Sequence, residues 1–172
     1  LGVDDSACQG GLSSFGGVAR RFQFRGETKG ITFVDDYAHL PTEVAVTLDA
    51  ASKGEFRNVI AVFQPHRYSR TQALYKEFAQ SLTAADMILV CEVYSAGEEP
   101  RAGVSGALIT DELLELGRHD TIFVRHVEDL AKIIDENAMP GDLVITLGAG
   151  DVTMYADIIQ NHLNDLNGVS HG

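Results

Sequence analysis

Val59-Ile-Ala-Val-Phe-Gln-Pro-His-Arg-Tyr-Ser-Arg-Thr71 joins an apolar run to a cationic cluster without a break. The run Val59 to Phe63 reads as a strand buried on both faces, since such strands are continuously apolar rather than alternating. A helix is read after it, from Arg70 to Leu82. Between strand and helix lie His66 and Arg67, and Arg70 opens the helix. Each arginine offers a planar fork of donors that matches a carboxylate or a phosphate in bidentate fashion. The dipole of the helix that follows favours an anion at the same end. The alternative reading is a pair of surface arginines matched by the chain's many acids.

The same grammar repeats on both sides. Strands are read at Ile31–Val34, Met87–Cys91, Thr121–Val124 and Leu143–Leu147, and helices at Thr42–Ser52, Leu108–Leu116, Val127–Asn137 and from Asp151 to about Leu166. Pro41 is placed to start the first helix and Asp151 to N-cap the last. Arg20 to Arg25 alternates polar and apolar as a short exposed strand, with a turn from Gly26 to Gly30. Five strands alternating with five helices predict an α/β fold: an open, mostly parallel, doubly wound (Rossmann-like) sheet with helices on both faces. Residues 1–17, rich in Gly and Ser, read as a linker or the tail of a preceding domain; residues 18–167 read as one domain and 168–172 as a frayed tail.

Composition bounds the function. With 172 residues and 45% hydrophobic content the chain can build a real core. A net charge of −12 argues against non-specific nucleic-acid binding. The two cysteines, Cys8 and Cys91, make no disulfide framework, and a reducing cytoplasm is the simplest setting. No apolar stretch approaches the roughly 20 residues that span a bilayer, and no signal-peptide pattern opens the sequence. It opens on Leu1 rather than Met, which predicts a piece of something longer.

Open α/β sheets bind ligands beyond the carboxyl ends of their strands. Four segments fall there: Asp35 to Pro41, Gln64 to Thr71, Glu92 to Ser105, and Gly148-Ala-Gly-Asp151. Asp35 and Asp36 are expected to face opposite ways, one toward a ligand and one into the scaffold. Gly148 and Gly150 read as a tight turn, short of a full G-x-G-x-x-G. Tyr94 and Gly97 fall in a loop of the kind that forms lids or specificity walls. Arg20-Arg21 taken alone reads as a solvated face. No Cys/His spacing suggests zinc, no nucleophile elbow occurs, and no Walker pattern is present.

Arg20-Arg-Phe, Asp35-Asp-Tyr-Ala-His-Leu-Pro41, Gln64-Pro-His-Arg-Tyr-Ser-Arg-Thr71 and Leu147-Gly-Ala-Gly-Asp151, in this order and spacing, resemble the C-terminal domain of the Mur ligases. The likeness runs from about residue 12 to about residue 165. The Gln64–Thr71 stretch is similar to the branch that joins L-alanine to UDP-N-acetylmuramate in bacterial peptidoglycan synthesis. The resemblance implies a three-domain enzyme in which this domain closes over a UDP-sugar domain and an ATPase domain. It implies amide-bond formation through an acyl phosphate, with ATP and Mg²⁺ held mainly by the other domains and no metal held here. It also implies residue roles. Arg67 and Arg70 would hold the carboxylate of L-alanine, with Tyr37, His39 and His66 lining the pocket. Arg21 would reach the ATP phosphates, and Asp36 would bind the ribose.

Two positions depart from the family's pattern. Leu40 stands where a second His is usual, and Gln23 where a Glu is common. Two other readings stay open: a ligase that recycles a murein peptide, and a stand-alone nucleotide-binding module. A lone copy of this domain is expected to fold but to have no ligase activity.

Overall fold

Val59–Phe63 and Leu143–Leu147 are buried at every position, which only a strand covered on both faces requires. The computed structural model describes residues 20–168; the expected linker at 1–17 and all but the first residue of the tail at 168–172 lie outside them. The elements in order are β1 (Gln23–Thr28), β2 (Ile31–Asp36), α1 (Pro41–Ser52), β3 (Val59–Phe63), α2 (Tyr68–Leu82), β4 (Met87–Cys91), α3 (Ala107–Glu115), β5 (Thr121–Val124), α4 (Val127–Asn137), β6 (Leu143–Leu147), a 3₁₀ turn (Asp151–Met154) and α5 (Tyr155–Gly168). They form one six-stranded sheet in the order β1-β2-β6-β3-β4-β5. All neighbours are parallel except β1, which pairs antiparallel with β2. The expected α/β class, open sheet and mostly parallel order are all present.

Alternate residues of each central strand feed two separate cores, as the two-residue period of a strand dictates. Ala61, Phe63, Ile88, Val90 and Ile145 pack under α1, α2 and α3, where Phe63 meets Phe78 at 5.0 Å between ring centroids. Ile60, Val62, Leu89 and Val144 pack under α4 and α5 against Leu130, Ile134, Ile159 and Leu163. The amino ends of β3 and β6 are tied by Asp142, wholly buried, which accepts from Arg57 Nε (2.9 Å) and Nη2 (3.0 Å), Asn58 Nδ2 (3.2 Å) and the Met139 N–H (2.8 Å). Burial pushes this carboxyl up, but the Arg57 fork and the other donors outweigh it and hold it below the usual range. Among the described residues no helix is long and apolar enough to cross a membrane.

Two expectations are corrected. The edge strand runs from Gln23 to Thr28 rather than Arg20 to Arg25. A β-bulge between Phe24 and Gly26, with Gly26 at φ 133°, carries the strand through the glycine that read as a turn. Asp151 does not cap the last helix. The backbone passes through a 3₁₀ turn first, and the Asp151 carboxylate is used elsewhere.

Candidate anion-binding site

The cationic cluster sits at the carboxyl end of β3, which β6 separates from that of β2. Beyond Phe63 the chain stays extended long enough to pair once more: the Tyr94 N–H donates to Pro65 O and the Arg67 N–H to Tyr94 O, both at 2.8 Å. The backbone then reverses at Arg67, with φ 75° and ψ 132°, a conformation that side-chain-bearing residues rarely adopt. Its carbonyl is held on the far side by the Thr71 N–H (3.0 Å) and hydroxyl (2.9 Å). Gripped from both sides, Arg67 turns outward as the cap residue of α2 while its guanidinium stays half exposed. Arg70, one turn into the helix, reaches the His39 carbonyl at 3.4 Å. The geometry thus brings β2's loop and β3's loop together through an arginine.

The aromatic residues form a chain along this edge. Tyr37 and His39 meet edge to face at 5.0 Å, His39 and His66 at 6.3 Å, and His66 stacks on Tyr94 at 5.4 Å. His39 is oriented by its own loop, with Nδ1 2.9 Å from Tyr37 O and 3.3 Å from Glu43. Glu43 reaches back to the N–H groups of His39 (3.0 Å) and Leu40 (3.2 Å), which closes the start of α1. Leu40, at the usual second-His position, is 37% exposed and presents no polar group to the cluster. His66 Nδ1 is buried with no hydrogen-bond partner among the described residues. Burial, followed by Arg70, His39 and Arg67, pushes this imidazole below its usual value, with Glu98 opposing. His66 is therefore neutral at pH 7, beside Arg67, which meets Glu98 only at 4.0 Å, and Arg70.

The acidic pair behaves otherwise than expected. Both side chains point into the scaffold: Asp35 is fully buried and Asp36 nearly so. Asp35 accepts from Arg20 Nε (3.1 Å), Thr146 Oγ1 (2.7 Å) and Thr153 Oγ1 (2.9 Å). Asp36 accepts from the N–H groups of Phe22 (2.7 Å) and Ala38 (2.8 Å). A buried carboxylate takes partners wherever the backbone leaves donors unpaired, and here strand end and turn supply them. Asp36 is thus not free for a ribose. Arg20 also departs from a solvated reading: it donates to Gly148 O at 2.6 Å and lies 4.8 Å over the Tyr37 ring. Arg21 is the exposed member of the pair. It lines a shallow cavity of ≈ 300 Å³ with Thr42, Glu43, Val46 and Thr47.

The Gly148–Asp151 turn is the tight turn expected. A Cβ on Gly150 would fall 2.5 Å from Gln64 Oε1 and 2.6 Å from Tyr94 Cγ. Gln64 stitches β3 to this turn: Nε2 donates to Asp151 Oδ1 (2.6 Å) and Oε1 accepts from the Val152 N–H (3.2 Å). Next to it a second cavity of ≈ 300 Å³ opens between Gln64, Glu92, Tyr94, Arg125, Asp151 and Tyr155. Cys91 at its floor is pushed up to about 12 by burial first and the Asp151 and Glu92 charges second, so it stays a thiol. Among the described residues no group of three or more His, Cys, Asp or Glu side chains could hold a metal ion.

Of the seven residues singled out in sequence, Tyr37, His39, His66, Arg67 and Arg70 come together. Arg21 stands apart on the α1 side, and Asp36 is inside. Sequence reasoning missed Arg20, Gln64 and Glu98. The first two carry a weak signal, being polar residues at strand ends. Glu98 carries none, because its partner Ser69 lies 29 residues away.

Comparison with known proteins shows the family of this chain. The sequence profile of the family described as "Mur ligase, glutamate ligase domain" matches residues 20–150. The chain is 48% identical over 156 residues to the UDP-N-acetylmuramate–L-alanine ligase of Rubrobacter xylanophilus, covering 89% of this chain and 35% of that protein. It is 43% identical over 170 residues to that of Granulibacter bethesdensis, covering 99% and 35%. Among solved structures it superposes on the UDP-N-acetylmuramate–alanine ligase of Thermotoga maritima with a TM-score of 0.78, at 29% identity and covering 96% of this chain and 35% of that one. The murein peptide ligase of Psychrobacter arcticus gives a TM-score of 0.73 at 26% identity, covering 93% and 33%. The chain therefore spans about a third of the length of the proteins it matches. With the profile laid over most of the sheet, and each motif of the resemblance inside it or at its edge, the chain belongs to the Mur ligase family.

Proposed function

We propose that this chain is the amino-acid-binding, closing domain of an ATP-dependent ligase that joins L-alanine to UDP-N-acetylmuramate by way of an acyl phosphate. The observation that carries the reading is the meeting of Arg67, Arg70, His39, His66 and Tyr37 at the carboxyl ends of β2 and β3. Arg67 and Arg70 hold the carboxylate of L-alanine, and Tyr37, His39 and His66 line its pocket. Neutral His66 adds no charge, so the anion is taken by the arginines while the amine stays free to attack. Fixing the amino acid in this way converts a bimolecular encounter into an effectively intramolecular step. A small amino acid needs little more, and the relatives named for L-alanine support that substrate over a murein peptide.

ATP and Mg²⁺ belong mainly to the parts of the enzyme this chain does not contain. Exposed Arg21 fits a phosphate contact, since it lines an open cavity with Thr42, Glu43, Val46 and Thr47. Asp36 serves nucleotide binding only by shaping the turn that carries Arg21, through the Phe22 N–H. The enzyme so assembled works in the cytoplasm, where UDP-N-acetylmuramate and ATP meet, with residues 1–17 leading in from the ATPase domain and residues 18–167 forming this one.

Arg67→Ala and Arg70→Ala in the full-length ligase test the reading. Each is expected to raise KM for L-alanine by on the order of 10- to 100-fold, the worth of one charge-assisted hydrogen bond, while KM for ATP stays within about twofold. An unchanged KM for L-alanine in both variants overturns it.

A further inference from the structure

The amino end of α2 is already occupied by an anion, and that anion is the chain's own. The cap residue Arg67 gives the helix no side-chain bond. Glu98, from the loop that follows β4, takes the position instead. Its Oε2 accepts from the Ser69 N–H at 2.9 Å, and its Oε1 accepts from Ser69 Oγ at 2.5 Å. The same oxygen lies 4.0 Å from Arg67 Nη1. These Ser69 bonds first, and the Arg101 and Arg67 charges after them, keep Glu98 ionised below the usual carboxylate range.

The loop is built to deliver this group. Ala96 and Gly97 take left-handed conformations in succession (φ 50° and 84°), and the Glu98 N–H closes the turn on Ser95 O at 3.0 Å. Tyr94 pins the loop's start to Pro65 and Arg67 through its backbone and to His66 through its ring. The loop is thus a fixed wall of the cluster. One helix N–H, one hydroxyl and one edge of a guanidinium make a receptor for a carboxylate, and Glu98 fills it. Arg70 and the exposed half of Arg67 keep cationic capacity for a ligand.

We propose that Glu98 is a specificity-determining residue, an internal carboxylate that fills the second anion position beside the amino-acid pocket and restricts the site to amino acids with a single carboxylate. The proposal rests on the reading of Arg67 and Arg70 as a carboxylate clamp. A second carboxylate on the ligand finds its natural donors taken and a like charge beside them, at contact distances well inside the screening length of physiological salt. L-alanine, whose side chain is a methyl group, meets neither obstacle.

The test uses the full-length ligase with Glu98→Gln and Glu98→Ala, and measures inhibition of L-alanine ligation by L-aspartate and L-glutamate. Both variants are expected to lower the inhibition constant of the better of the two diacids by about tenfold, the scale of one removed like-charge contact. Sodium acetate is expected to raise the melting temperature of Glu98→Ala more than that of the wild type, by filling the vacated receptor. A fall of less than about threefold in both variants, with Arg70→Ala still raising KM for L-alanine, overturns the role of Glu98 and leaves the clamp standing. Arg67→Ala and Arg70→Ala variants that both leave KM unchanged overturn the clamp itself. If Glu98→Ala does not fold, Glu98→Gln, which keeps the volume and an acceptor, decides alone.

Discussion

Arg67 carries two burdens at one position: an unfavourable backbone and an exposed cation. A non-glycine residue in such a conformation costs about 1–3 kcal/mol and persists only where its surroundings over-determine it; here the Tyr94 carbonyl, the Thr71 N–H and the Thr71 hydroxyl do so. Two truncations separate the burdens, since both remove the guanidinium but only one restores backbone freedom. Arg67→Gly is expected to be more stable than Arg67→Ala by about 1 kcal/mol in thermal melts, with both equally defective toward L-alanine. A glycine variant no more stable than the alanine one would show that the backbone is unstrained. His66 makes a second prediction at this scale. Its folded pKa lies below the unfolded value of about 6.5, so between the two the unfolded chain binds the proton that the folded one refuses. Stability therefore falls as pH drops below about 6.5, and the loss ends once the pH passes below the folded pKa. Burial sets most of the effect, Arg70, His39 and Arg67 add to it, and Glu98 opposes it. His66→Gln is expected to flatten that part of the stability–pH curve, and an unaltered slope would mean that His66 titrates normally.

The elements most legible in sequence were those buried on both faces. The runs Val59–Phe63, Met87–Cys91 and Leu143–Leu147 coincide with β3, β4 and β6, because a central strand leaves almost no polar residue to blur its ends, and the short run Thr121–Val124 coincides with the edge strand β5 although Ile122 is exposed there. The antiparallel edge strand was displaced by three residues, since nothing in Phe24-Arg-Gly26 announces a bulge. At Asp151 the expected cap was wrong because Gln64, 87 residues earlier, claims the carboxylate. The site divides in the same way. Arginines beyond a strand end were legible from residue type and topology, whereas the fates of Asp36 and Glu98 depend on which backbone donors are brought to them. The Gly150 turn offers a check on the wall these contacts build. Gly150→Ala places a methyl group within 2.6 Å of Tyr94 Cγ. It is expected to cost about 1–3 kcal/mol, the scale of overpacking, and to raise KM for L-alanine by displacing Tyr94 from His66. A variant with wild-type melting temperature and KM would mean that the turn relaxes freely.

At the scale of the molecule, an acidic chain of net charge −12 sets Arg67 and Arg70 together at the carboxyl-end edge of its sheet, where a small anion can be selected against a repulsive background. In the proposed enzyme that edge is half of a reaction centre. The chain spans about a third of its relatives, contains no Walker pattern, and has no metal-binding cluster among the described residues. The isolated 172-residue chain is accordingly expected to fold cooperatively and to release no ADP when given ATP, UDP-N-acetylmuramate and L-alanine; release dependent on both acceptor and amino acid would contradict the division of labour. The central claim, that the arginine pair reads the amino-acid carboxylate, is tested most directly by comparing L-alanine with L-alaninamide, which lacks that charge. In the wild-type full-length ligase, kcat/KM is predicted to favour L-alanine by about 100-fold or more, and in Arg70→Ala this preference is predicted to shrink to within a few-fold. The same preference in both enzymes would contradict the claim.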